Sequence, residues 1–104
     1  MGLNLFAVKK RCQKYDITIF QTPKYGENKG YEQVYRMNIE AAGHDEALHL
    51  VFCTFNVSDR VPRDYDARFI LTGDIVLIDE VKRGQTYYKL LSGGWTKINR
   101  VHVR

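Results

Sequence analysis

Asp45, His49 and Cys53 fall at i, i+4 and i+8, the spacing that lines side chains along one side of a helix. A carboxylate, an imidazole and a thiol in a row could ligate a metal, or let the imidazole draw the thiol towards thiolate and make a nucleophile. The same stripe is the less apolar flank of an amphipathic helix, and without a second cluster of ligands the plainer structural reading is the stronger one. Asp59, Asp64 and Asp66 could hold a hard cation, but their spacing is not that of a calcium loop, and aspartates commonly cap turns. The chain has no GxSxG, GxxxxGK[ST], GxGxxG or HExxH. An enzyme is therefore the least supported class, and the sequence assigns no catalytic residue, metal ligand or cofactor.

The charges are a second source of chemistry. The net charge is +4, but ten of the 16 bases lie at the two ends: Lys9, Lys10, Arg11 and Lys14, then Lys82, Arg83, Lys89, Lys97, Arg100 and Arg104. All 12 acids lie between Asp16 and Glu80, against six bases. If the ends meet in the fold, one face is basic and the other acidic. Such a face attracts phosphate, or the acidic face of another copy. Lys9, Lys10, Arg11, Lys97, Arg100 and Arg104, with Trp95 as a stacking ring beside Tyr87 and Tyr88, are the candidate nucleic-acid contacts. The plainer reading makes the bases solvated surface and Trp95 part of the core. No RNP, KH or helix-turn-helix signature sharpens the claim.

These residues need a scaffold, and 104 residues with 44% hydrophobic and 27% charged side chains suffice for one domain with one core. We divide the chain into a basic lead-in, 1–14, and a single domain, 15–104. Cys12 and Cys53 are too few and too far apart for a zinc framework or a disulfide scaffold, so free thiols are expected. No apolar run is long enough to span a bilayer, and Met1 to Phe6 lacks the pattern of a secretory leader or a myristoylation site. A cytoplasmic location with no membrane partner is expected.

The element on which the rest is organised is a hairpin, Leu71–Glu80 and Gln85–Leu91, whose β-branched and aromatic runs flank Val81-Lys82-Arg83-Gly84. Tyr15 to Gln21 alternates, with Tyr15, Ile17 and Ile19 facing the core, and stops at Thr22-Pro23. Lys24 to Gly30 reads as a loop, and Glu32 to Ile39 as a strand that can pair back on the first. Leu48, Val51, Phe52 and Phe55 share the spacing of one helical face within 45–56, with Asp45 or His44 as cap; the rival for Leu50 to Phe55 is a strand. Ser58 to Arg68 is an ordered loop, and Phe69-Ile70-Leu71 should anchor it to the core. After Gly93-Gly94 the chain alternates from Trp95 to Val103 as an edge strand, which invites sheet extension between copies and so a homodimer. The expected fold is α+β: a small antiparallel sheet of about five strands with one helix packed on it.

Phe55-Asn56, Arg60, Pro62, Asp64-Tyr65, Arg68, Leu71, Asp74-Ile75-Val76, Tyr87-Tyr88 and Gly94-Trp95 stand in an order that resembles the YodL-like domain family of bacteria. The family's pattern is similar: a helix ending in Phe-Asn, a Pro-x-Asp-aromatic loop, a Ser-Asp-Val-Val strand start, and a Tyr-Tyr strand closing on Gly-Phe. Thr72-Gly73 and Trp95 depart from it. The resemblance covers about residues 45–95 and more loosely reaches back to Asp16. It implies a bacterial cytoplasmic protein, often carried on mobile elements or plasmids, of no established activity, and it transfers no catalytic residue. The expected function is a small non-enzymatic binding domain with an unknown protein partner. The alternatives are a nucleic-acid-binding accessory using the basic ends and, behind it, an enzyme using Cys53 and His49.

Overall fold

The computed structural model describes residues 12–57 and 59–100 of the chain. Five strands, β1 (Gln13–Gln21), β2 (Glu32–Ala41), β3 (Ile75–Glu80), β4 (Gly84–Leu91) and β5 (Gly94–Ile98), form one antiparallel sheet in the order β2-β1-β3-β4-β5. Among the described residues one helix, α1 (His44–Phe55), packs on it between β2 and β3 in the chain. The α+β expectation is met, and the stretch expected at 45–56 is helix, His44–Phe55, rather than strand.

β1 alternates as its sequence requires: Tyr15, Ile17, Ile19 and Gln21 turn towards α1 and are buried. The register carries that face across the sheet, Ile17 opposite Ile78 and Ile19 opposite Val76, then Val76 opposite Tyr88. β3 buries Ile75, Val76, Leu77 and Ile78 on both faces, the continuous apolar run of an interior strand. The expected strand start at Leu71 moves to Ile75. Leu71 to Asp74 is instead a turn, closed by the Asp74 N–H donating to the Leu71 carbonyl at 3.0 Å, with Gly73 at φ +100° where a side chain would be strained.

α1 buries Ala47, Leu48, Val51 and Phe55. At about 100° per residue, Ala47 pulls the centre of this stripe away from Phe52, which is 39% exposed rather than part of the core. Nor do Asp45 or His44 cap the helix. Gly43 is the N-cap, without a side-chain bond, and Glu46 reaches back to accept the Ala42 N–H at 2.6 Å. Asp45 and Glu46 in the first turn suit the helix dipole. Phe55 is fully buried, with its ring 5.5 Å from that of Tyr35 and 4.7 Å from that of Tyr65.

Phe55→Ala is expected to lower unfolding free energy by about 3–5 kcal/mol in a urea titration, whereas Leu50→Ala, on the exposed flank, should cost less than about 1 kcal/mol. Equal losses would place the helix face wrongly.

Candidate interaction surface

The long connection from α1 to β3 is fixed by one buried carboxylate. Asp74 is 1% exposed; its Oδ2 accepts from the Leu71 N–H at 2.8 Å and from Gln21 Nε2 at 3.0 Å, and its Oδ1 accepts from Arg68 Nη2 at 2.9 Å. Burial pushes the Asp74 carboxyl up, against the opposing pull of the Leu71 N–H, Arg68 and Gln21. Arg68 also donates to the Thr22 carbonyl at 2.8 Å, and the Tyr65 hydroxyl donates to the Arg68 carbonyl at 2.6 Å. At the near end, Asn56 Oδ1 accepts the Ile70 N–H at 2.8 Å. Ile70 is thereby sunk in the core while Phe69 and Leu71, 44% and 39% exposed, face outwards, so only the middle residue of that triplet is an anchor.

That outward turn builds a wall. A groove of about 340 Å³ runs between α1 and the β4–β5 hairpin, lined by Phe52, Leu71, Leu90 and Leu91 over Ile70, with Asn56, Thr72, Ser92 and Gly94 between them. None of these lining residues is charged. It adjoins a second depression of about 230 Å³ that shares Phe52, Leu90 and Gly94 and adds Trp95, His49 and Asp45. The groove exists because one helix, about 10 Å across, covers only about half of a five-stranded sheet with strands about 4.8 Å apart. The α1 face of β4 and β5 is left half-buried.

The first residue of α1 makes the other polar cluster. A carboxylate accepts, so His44 Nε2–H donates to Glu80 Oε1 at 2.5 Å, and Nδ1 hydrogen-bonds the Tyr88 hydroxyl at 2.7 Å. The Tyr15 ring meets the imidazole edge-on at 5.4 Å. Burial, then the charges of Asp45 and Glu80, push the Tyr88 phenol up, so it stays a donor. The order carboxylate, imidazole, hydroxyl is that of a proton relay, but here all three side chains tie the start of α1 to β3 and β4.

Of the residues singled out by sequence, His49 and Cys53 do meet, Nε2 to Sγ at 3.6 Å on the exposed side of α1. No group of three or more His, Cys, Asp or Glu side chains among the described residues could hold a metal ion. Asp64 accepts from the Tyr35 hydroxyl at 2.7 Å. Lys97 and Arg100 line one cleft of about 500 Å³ with Gln85, Thr86, Tyr87 and Ile98. Trp95 is not among them; it packs at the margin of the core on the α1 side. Lys9, Lys10, Arg11 and Arg104 lie outside the described residues. The sequence reading missed Gln21, and it gave His44 and Arg68 other parts, a helix cap and a loop residue of the family pattern. For Gln21 a signal existed: the alternation Tyr15, Ile17, Ile19 continues onto it, marking a polar side chain on the buried face. No helix among the described residues is long and apolar enough to cross a membrane.

Over 104 residues, all of this chain and 98% of the other, the sequence is 54% identical to uncharacterized protein YodL of Bacillus subtilis (strain 168). No family model matches it, and no solved structure matches it.

Arg68→Met should leave the Asp74 carboxylate buried without its cation and cost about 3–5 kcal/mol in urea at neutral pH, a loss that shrinks on acidification as Asp74 takes up a proton. Tyr65 gives an alkaline counterpart. Burial and the Asp74 charge push its phenol up to about 12, whereas the unfolded chain ionises near 10. The folded state thus holds a proton that the unfolded state has lost, and stability falls as pH rises from about 10 to about 12. In Tyr65→Phe that slope should be shallower by about one proton; an unchanged slope contradicts the assignment.

Proposed function

The chain belongs to the YodL family, and from that premise we propose that it is a small non-enzymatic interaction domain that takes an apolar segment of another protein into the groove between α1 and the β4–β5 hairpin. The observation that carries the reading is the groove itself. Phe52, Leu71 and Leu91, each about two-fifths exposed, line one uncharged trough beside Trp95. Large apolar side chains gathered on one surface of so small a domain are costly unless something covers them. An uncharged lining selects apolar side chains, while Asn56, Thr72 and Ser92 offer hydrogen bonds to a partner's backbone. Two free cysteines, Cys12 exposed and Cys53 partly so, suit a reducing compartment, and the reading places the domain in the cytoplasm.

A second reading, contact with single-stranded nucleic acid, is favoured by one observation: Lys97 and Arg100 share a cleft with Tyr87, two cations beside a ring.

Selection from a displayed library of random peptides against the purified protein separates the two. The groove reading expects enrichment of peptides with clustered apolar residues, whose affinity drops at least tenfold in Leu91→Asp and stays unchanged in Lys97→Gln. Position 91 is exposed, so the Leu91 variant should unfold within about 0.5 kcal/mol of the parent. No apolar enrichment, or binding indifferent to Leu91→Asp, overturns the reading. Salt-sensitive binding of oligonucleotides that Lys97→Gln weakens supports the second.

A further inference from the structure

We propose that β5 pairs with β5 of a second copy, joining two five-stranded sheets into one across a two-fold axis at Thr96. Among the described residues the outer edge of β5 is unpaired, and its bonding groups can be assigned. Leu90 turns its backbone towards the β3 side, accepting from the Gly73 N–H at 2.7 Å and donating to the Asp74 carbonyl at 2.9 Å. Backbone direction alternates along a strand, so Lys89 and Leu91 face β5 and bond their partners Thr96 and Gly94. Trp95 and Lys97 therefore point N–H and C=O away from β4. β5 is the last strand in the sheet order, so among the described residues no strand lies beyond it.

Those two residues are complementary to each other. With the axis at Thr96, Trp95 of each copy stands opposite Lys97 of the other, and each facing pair exchanges both of its backbone hydrogen bonds. Trp95 and Lys97 both lie on the α1 side of the sheet. The incoming ammonium therefore meets the Trp95 ring, a cation–π contact, on the side where Asp45 borders the Trp95 depression. On the other face, Thr96 meets Thr96, a favourable cross-strand pair. Shifting the register by one residue would set Lys97 opposite Thr96 and lose the ring. The interface is isologous and closes at two subunits, leaving each β2 edge outermost.

Sedimentation equilibrium of the full chain tests this across concentration. The protein is expected to show reversible association from 12.1 kDa to twice that mass, without larger species. Lys97→Pro removes an outward N–H and the cation but no bond to β4, so it should fold and sediment as a monomer. Lys97→Met keeps the N–H and should weaken the dimer several-fold. If Lys97→Pro unfolds, Lys97→Glu serves in its place: it sets a carboxylate against the ring and Asp45, and should raise the dissociation constant at least tenfold. A parent that stays monomeric at millimolar concentration overturns the proposal and makes Lys97 a guard against edge pairing. A dimer indifferent to Lys97→Pro and Lys97→Glu overturns it equally, since the contact then lies elsewhere.

Discussion

A carboxylate taken out of water must be matched by donors, and Asp74 is where this fold meets that demand. Its donors come from β1 through Gln21 and from the long connection through Arg68 and Leu71, and Asp74 itself directly precedes β3. One side chain thus holds the first strand, the connection and the interior strand in a single relative position. Arg68 extends the hold to the Thr22 carbonyl just after β1, and Tyr31, just before β2, reaches the Gly73 carbonyl. Without that node, Ile70 would be held by Asn56 alone, and Leu71 and Phe69 would lose their fixed direction. The outward wall of the groove is therefore a by-product of a buried charge.

The second constraint is one of dimensions. α1 has 12 residues and lies over β2, β1 and β3, where Ala47, Leu48, Val51 and Phe55 close the core. The hairpin of β4 and β5 extends beyond its cover. Tyr88 is held by His44, and Leu90 and Trp95 pack at the core margin without being sealed. The fold is thus closed on one half of this face and open on the other, and the open half carries both the uncharged groove and the basic edge.

Most of the scaffold was legible because it obeys local rules. The alternation of β1, the glycine-closed turn before β4 and the spacing of Leu48, Val51 and Phe55 each specify an element by themselves. What the sequence could not show depends on partners far along the chain. Phe52 has the spacing of a core residue and is exposed because Ala47 draws the buried stripe away from it and the helix covers only half of the sheet. His44 reads as a cap and instead spans 36 residues to Glu80 and 44 to Tyr88. Arg68 and Asp74 are six residues apart and look like loop charges, and only Gln21, 53 positions before Asp74, reveals them as one buried unit. Several residues that carry the family resemblance, Asn56, Tyr65, Arg68 and Asp74, are these fastenings, which explains why a pattern of loop residues can mark a fold.

β1 lies between β2 and β3, and the partners for its two seams leave the ribosome at different times. The hairpin with β2 closes over a ten-residue gap, while the seam with β3 joins Asp16 to Asp79 and Phe20 to Ile75. A chain emerging from the ribosome can zip the first seam early, but the bonding edge of β1 on the other side stays bare until the whole connection and β3 have been made. For that interval Ile17 and Ile19 sit in an unfinished sheet, the state in which strands find wrong partners. The charged and hydroxyl-bearing neighbours Asp16 and Thr18, interleaved with those isoleucines, make the nascent ribbon a poorer match for a stranger than for β3. The order in which the seams close thus makes synthesis, rather than the finished molecule, the stage at which this sheet is most vulnerable.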